Sequence, residues 1–199
     1  METVAPSLSK KQLERLGAGL FMMTVFTAIW VTIAEISFMS LDHGATAGAF
    51  GIVIIFFIIN YIKIMQTAKE VGQASAEADE QVEKSRAKWF YIIFAVEGIA
   101  ILVIKNILAN KGHNDLFVPF FALIVGLHFF PMAFLLKRPF FYVFGTWICL
   151  MAALGFFLLQ KGEPVYLSTG LIGLGCALAT TANGIRLIKM GGVAWLGGM

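Results

Sequence analysis

Two ionisable residues interrupt long apolar runs of the sequence, and their types suit proton transfer or cation binding. Glu97 lies in the run 89–108, and His128 lies in the run 116–136. Each is eight positions from one end of its run (89 to 97, and 128 to 136), about 12 Å along a helix that rises about 1.5 Å per residue. This depth is near the middle of a bilayer core about 30 Å thick. Because a buried charge is costly without a partner, we predict that Glu97 and His128 form a ligand-binding or proton-handling pair.

His128 also has an unusual backbone context. Pro131 follows three residues later and has no N–H to donate to the carbonyl of Leu127, so we expect a helix kink at Pro131. A freed carbonyl beside an imidazole makes a polar notch in an apolar helix. Two interpretations of the pair stay open. It is either a functional proton or ligand site, or a buried polar lock that satisfies the backbone break and holds the helices together.

A second acid–base pair is predicted nearer the opposite ends of the runs. Glu35 is three residues before Phe38, and Lys105 is three residues before Leu108, which corresponds to a depth of about 4–5 Å. The two side chains could pair with each other. Alternatively, each could extend towards the interface and reach headgroups or water.

Small residues at regular spacing indicate faces on which helices approach closely. One stripe contains Gly44, Gly48 and Gly51, and another contains Gly173 and Ala177. Without large side chains between them, helix backbones pack tightly in a membrane. We predict helix packing within the chain at both stripes, with association of identical chains into a homo-oligomer as the alternative.

The sequence lacks the patterns of catalytic, metal and nucleotide sites. Its three histidines (43, 113 and 128) are scattered, and Cys149 and Cys176 lie inside apolar runs. It has no glycine-rich phosphate loop after a strand, no zinc motif and no nucleophile motif. We therefore predict no catalytic residues, no metal ion and no cofactor. A net charge of +3 does not indicate a nucleic-acid partner.

The elements that hold these residues are membrane-spanning helices. Hydrophobic residues make up 59% of the 199 residues and charged residues 14%, and the mean hydropathy is +0.83. This composition is too apolar for a water-soluble domain of this size and predicts contact with the lipid bilayer. Six continuous runs are long enough to cross a bilayer: 16–38, 44–62, 89–108, 116–136, 139–159 and 164–185. We predict an all-α bundle of six transmembrane helices that forms a single domain over residues 1–199.

The polar stretch 63–88 joins the second and third runs. It is rich in Ala, Glu, Gln and Lys, which favour helix, and it predicts a cytoplasmic helical hairpin. We interpret this hairpin either as a solvated connector or as a docking surface for a protein partner.

Lysine and arginine are distributed unevenly between the two sides of the predicted membrane. Twelve lie on the side of the termini: three before the first run, five in the stretch 63–88, two at 137–138 and two after the last run. The other side has only Lys105, Lys111 and Lys161. Because cytoplasmic segments of membrane proteins are enriched in these residues, we predict that both termini are cytoplasmic.

The segment Gly126–Pro139, GLHFFPMAFLLKRP, resembles a motif of small multi-pass membrane proteins of bacteria that have no assigned activity. In that family a Gly-Leu-His-Phe-x-Pro stretch is followed by apolar residues, a basic turn and an aromatic restart, here Phe140–Tyr142. The resemblance implies a location in the bacterial inner membrane and marks His128 and Pro131 as family positions. It implies no activity.

Three classes of function fit these features. The first is a small transporter or channel-like protein in which Glu97 and His128 handle a proton or a small cationic solute. The second is a structural or regulatory membrane subunit in which the same two residues are a buried polar lock. The third is a membrane-embedded enzyme, and the lack of a catalytic constellation in the sequence argues against it.

Overall fold

The protein is a bundle of six long α-helices. In a computed structural model, residues 8–38, 41–71 and 80–191 are described, without the side chains of 80–86. The helices are α1 (Lys10–Phe38), α2 (Ala45–Glu70), α3 (Glu80–Lys111), α4 (Phe117–Leu136), α5 (Phe140–Gln160) and α6 (Val165–Met190), with a short 3-10 helix (Asn114–Leu116) before α4. No strand occurs in these ranges, and all six helices are long and apolar enough to cross a membrane. The prediction of an all-α, multi-pass integral membrane protein is confirmed.

Neighbouring helices are separated by tight turns that contain residues typical of helix ends. Before α2, Gly44 has a left-handed backbone (φ 82°), and the Asp42 carboxylate accepts the backbone N–H groups of Gly44 and Thr46. Asp42 thus satisfies donors that the first turn of a helix leaves open. Between α4 and α5, the left-handed Lys137 ends one helix and Pro139 precedes the next. These turns make α1 and α2, and likewise α4 and α5, antiparallel neighbours.

The centre of the bundle consists of α1, α4, α5 and α6. The most extensive contact joins α1 and α6, where a Cβ atom on Gly173 would lie 2.7 Å from the backbone nitrogen of Ala34. The buried hydroxyl groups of Thr27 and Thr180 form a 2.7 Å hydrogen bond across the same two helices. Ala177, one turn after Gly173, is fully buried. The stripe at Gly173 and Ala177 therefore lies in the packed core.

The contact between α4 and α5 is equally close. A Cβ atom on Gly126 would lie 2.9 Å from the backbone nitrogen of Cys149, and one on Gly145 would lie 2.8 Å from the carbonyl oxygen of Gly126. Only hydrogen fits at these two positions without displacement of the backbone. This contact determines how α4 is rotated about its axis, and therefore where His128 points.

The remaining helices, α2 and α3, lie at the periphery. α2 packs mainly against α1, and α3 packs against α4 and the 3-10 helix. Both leave large apolar side chains exposed, such as Ile52 on α2 and Ile99 and Leu102 on α3. In a bilayer these surfaces contact hydrocarbon chains, which are as apolar as leucine side chains.

The glycine stripe of α2 is not a packed face within the described chain. Gly44 belongs to the turn, and a Cβ atom on Gly48 or Gly51 would have no neighbouring atom within 4 Å. The structure thus shows no intrachain packing at Gly48 and Gly51, whereas a Cβ atom on Gly44 would lie 3.6 Å from Oε1 of Glu35 on α1. Association of identical chains through Gly48 and Gly51 stays a prediction.

The predicted hairpin 63–88 lies partly outside the described residues. α2 continues as a helix to Glu70, and α3 begins at Glu80, so the polar residues on both sides of the connection are helical. Residues 72–79 are outside the described ranges. The partner role proposed for this stretch stays a prediction.

Candidate functional site

A stripe along one side of α3 determines where Glu97 points. α3 is exposed over most of its surface, and its shielded positions recur every three to four residues, among them Ile93, Glu97, Ala100, Ile104 and Leu108. This is the spacing of one face of an α-helix, and α4 is the main neighbour of α3. Glu97 is 7% exposed, so the fold places its carboxylate against α4.

His128 contacts Glu97 from α4. Its Nδ1 atom is 3.2 Å from Oε1 of Glu97, and the two side chains are 4% and 6% exposed. The distance is that of an ion pair, but the contact lacks hydrogen-bond geometry, so both ring nitrogens of His128 are buried without a hydrogen-bond partner among the described residues. A buried imidazole with nitrogens not committed to hydrogen bonds has the chemistry to accept or donate a proton.

Aromatic rings lie against the imidazole. The ring centroid of Phe94 is 5.5 Å from that of His128, and the ring centroid of Phe129 is 4.0 Å away. These rings exclude water from the faces that they cover, and a drier environment strengthens the electrostatic interaction between His128 and Glu97. The strength of that interaction therefore depends on which of the two groups holds the proton.

A groove between α3 and α4 leads to the pair from the bilayer side. This α3–α4 groove has a volume of about 630 Å³, within the range of cavities that hold drug-sized ligands. Among the described residues, Glu97 and His128 are the only ionisable ones that line it, and the other lining residues are apolar or aromatic. Val96, Leu127 and Phe134 line it and are more than half exposed on the bundle surface. The groove therefore opens towards lipid.

A second cavity reaches His128 from the end of the bundle at which α1 begins and α6 ends. This inner crevice has a volume of about 250 Å³, and its lining includes Arg15, Phe94, His128 and Arg138. Arg138 follows His128 by ten residues (128 to 138), or about 15 Å along a helix. The crevice thus runs from the arginines to the imidazole. His128 lines both cavities and lies in the wall between them.

Glu35 and Lys105 are not brought together. Oε2 of Glu35 accepts the backbone N–H of Ala47 at 3.1 Å, in the first turn of α2. Lys105 is on an exposed side of α3, and no ion pair joins it to Glu35 in the described part of the chain. Glu35 instead lies at the N-terminus of α2, where the helix dipole favours a negative charge.

Pro131 forms part of the wall of the α3–α4 groove. α4 continues as a helix through this residue to Leu136, so the proline does not end the helix, and a bend at this point stays a prediction. Pro131 has no N–H for the carbonyl of Leu127. The carbonyl of Leu127, one residue before His128, therefore lacks its usual helical donor.

Three arginines near the inner crevice were not among the predicted site residues. Partial burial, and then the charges of Arg186 and Arg15, hold the pKa of Arg138 below its usual value. In the sequence these residues indicated only the orientation of the helices. The positions of the three arginines along the chain do not predict that they lie close together. Tertiary packing of α1, the α4–α5 turn and α6 brings them near one another.

No family model, curated protein or solved structure matches the chain. Within the ranges that the structure describes, no group of three or more His, Cys, Asp or Glu side chains is placed to hold a metal ion. The Glu97–His128 pair and the two cavities beside it are therefore the candidate functional site.

Proposed function

We propose that the protein is a small transporter of the bacterial inner membrane in which the Glu97–His128 pair exchanges a proton for a lipophilic cation. The observation that carries this proposal is the 3.2 Å contact between a carboxylate and an imidazole in an apolar groove that opens towards lipid. The bacterial setting is inferred from the resemblance of the segment Gly126–Pro139.

The α3–α4 groove is suited to a cation with an apolar body. Its walls are apolar, the rings of Trp89 and Phe134 line it, and aromatic faces attract cations. A small hydrated ion gains little from such walls, because it loses its water where few oxygen ligands replace that water. A lipophilic cation enters from the bilayer at lower cost and finds its counter-charge at Glu97.

Competition for Glu97 couples the cation to a proton. When the carboxylate holds a proton, a cation has no counter-charge in the groove, and when the cation binds, the proton leaves. His128 is the group that takes the proton, because its Nδ1 is 3.2 Å from Oε1 of Glu97. His128 also lines the inner crevice, so the imidazole that takes the proton is not confined to the groove that holds the cation.

The first test is the binding of tetraphenylphosphonium to the purified protein in detergent. We expect saturable binding, followed by tryptophan fluorescence because Trp89 lines the groove. Calorimetry in two buffers with different ionisation enthalpies should detect a proton released on binding. Glu97→Gln should abolish both signals. Glu35→Gln removes a carboxylate that lies outside the groove and should preserve them.

The second test is transport in proteoliposomes. We expect a proton gradient at zero membrane potential to drive tetraphenylphosphonium uptake above that of protein-free vesicles, and Glu97→Gln to remove this excess. Binding that survives in Glu97→Gln would contradict the proposal, as would wild-type protein that neither binds nor transports. A third result would indicate a structural role: the wild type neither binds nor transports, and Glu97→Gln lowers the free energy of unfolding by about 3–5 kcal/mol. In that case the pair is a structural lock, and the protein is better described as a membrane subunit.

A further inference from the structure

Three arginines from distant parts of the chain converge at the inner crevice. Arg15 of α1 and Arg138 of the α4–α5 turn line it. Arg186 of α6 lies near Arg138, whose pKa its charge lowers, and its guanidinium is 4.4 Å from the centre of the Phe140 ring. Bringing like charges together is unfavourable on its own. A negative charge beside Arg138 would relieve the repulsion that this residue receives from its neighbours.

Arg138 has no carboxylate partner among the residues that the structure describes. Its side chain is half-buried, and no ion pair of the described chain includes it. Among the residues that the structure describes, the lining of the crevice contains arginines and a histidine but neither Asp nor Glu. A partly desolvated guanidinium is stabilised by an anion that replaces its lost water. The crevice thus has the charge pattern of an anion site.

Beyond the arginines the crevice is largely apolar. Met22 and Phe26 of α1, Leu136 of α4 and Phe141 of α5 line it. A free inorganic anion would leave these side chains without an apolar partner, whereas an acyl chain buries apolar surface against them. A volume of about 250 Å³ is below the range for whole drug-sized ligands, so it suits a headgroup phosphate with the first part of one chain.

Arg138 lies just past the end of a helix that is long enough to span the membrane, where lipid headgroups are expected. Arg138 comes two residues after the end of α4, on the side to which the predicted topology assigns twelve of the fifteen Lys and Arg residues. Guanidinium groups bind phosphate through paired hydrogen bonds, and basic pockets between helices recognise anionic headgroups. We propose that the inner crevice binds an anionic phospholipid, with its phosphate between Arg138 and Arg15 and the start of one acyl chain along Met22 and Phe26.

The test is a thermal-unfolding titration of the delipidated full-length protein in detergent. The probes are a short-chain phosphatidylglycerol, the matched phosphatidylcholine and inorganic phosphate. We expect a saturable rise in Tm with phosphatidylglycerol alone, because only this probe combines a net negative charge with an acyl chain. Native mass spectrometry of the same samples should detect the bound lipid.

Matched variants locate the site. Arg138→Gln should weaken phosphatidylglycerol binding by about tenfold or more, through loss of a charge-assisted contact, and Arg186→Gln should weaken it less because this residue does not line the crevice. Lys137→Gln removes the same charge from an exposed neighbouring position and should leave the affinity unchanged. If Arg138→Gln does not fold, Arg138→Lys keeps the charge without the guanidinium fork and should bind with intermediate affinity.

Three outcomes would overturn the proposal. Equal stabilisation by phosphatidylglycerol and phosphatidylcholine would mean that chains alone bind. An equal loss of affinity in Lys137→Gln and Arg138→Gln would mean that surface charge, and not the crevice, attracts the lipid. Inorganic phosphate that stabilises the protein and displaces phosphatidylglycerol would identify a free anion, and not a lipid, as the ligand.

Discussion

Glu97 and Glu35 are both carboxylates in apolar helices, but their surroundings give them different roles. Glu97 faces the imidazole of His128, whereas Glu35 accepts a backbone N–H at the start of α2. The sequence predicted the depth of each residue, because depth follows from the helical rise. Depth does not specify rotation about the helix axis, which is set by packing elsewhere. For this reason Glu97 and His128, at equal depth, are in contact, whereas Glu35 and Lys105, also at equal depth, are not.

Asp42 provides a test of the turn that starts α2. Hydrogen bonds from the side chain and the backbone of Thr46 hold the pKa of Asp42 below its usual value of 3.8. Because the folded-state pKa is lowered, the ionised carboxylate stabilises the fold above the unfolded pKa, and this contribution is lost as pH falls through the folded pKa. We expect Asp42→Ala to lower Tm at neutral pH, and the difference from wild type to shrink below about pH 4.

The measurement is Tm in detergent across an acid titration of both proteins. Asp115→Ala is the control, because Asp115 is an exposed aspartate for which we expect little change at any pH. A difference between wild type and Asp42→Ala that stays constant into acid would contradict a role for the ionised carboxylate.

At the scale of elements, the apolar sequence of α3 predicts a membrane-spanning helix but not which face of that helix is packed. The run 89–108 predicted the span, and the helix extends over Glu80–Lys111 because the flanking Glu, Lys and Ala residues favour helix. The face of α3 that meets α4 has no such signal. Nearly every position of the run is apolar, so the pattern has no contrast between inside and outside. For the same reason, the sequence of α2 did not predict that Gly48 and Gly51 face away from α1.

The contact of Gly126 with α5 gives a prediction about the packing of α4. Gly126→Ala adds a methyl group 2.9 Å from the backbone nitrogen of Cys149 and 2.6 Å from its Sγ, and backbone does not move aside as a flexible side chain does. We expect a loss of about 1–3 kcal/mol, as for overpacking of a close contact. The free energy of unfolding, measured by denaturant titration in mixed micelles, checks this value.

Gly48→Ala is the matched control for that substitution. Gly48 is exposed on α2, and the added methyl group would have no neighbouring atom within 4 Å. Because Ala favours helix over Gly by about 1 kcal/mol, we expect no loss of stability. A loss as large as that of Gly126→Ala would indicate that Gly48 is packed in the membrane, and it would favour association of identical chains through α2.

For the whole molecule, the position of α3 links the two cavities. α3 is attached mainly through α4, yet it contributes Glu97 to the α3–α4 groove and Phe94 to the inner crevice. Segments with few buried contacts open at lower cost than the core. A displacement of α3 would therefore change both cavities and the Glu97–His128 distance together, without disturbing the contact of α1 with α6. The proposed exchange of a proton for a cation requires such a linked change.

The distribution of charge predicts how the whole bundle is oriented. The predicted topology assigns twelve Lys and Arg residues to the side of the termini and three to the other, and segments rich in these residues stay in the cytoplasm. We expect Lys161→Cys, between α5 and α6, to react with an impermeant maleimide in intact cells, and Lys137→Cys to react only after permeabilisation. Cys149 and Cys176 lie inside α5 and α6 and serve as the unlabelled background. The reverse pattern would place both termini and the inner crevice outside the cell, away from the anionic cytoplasmic leaflet that the phospholipid proposal requires.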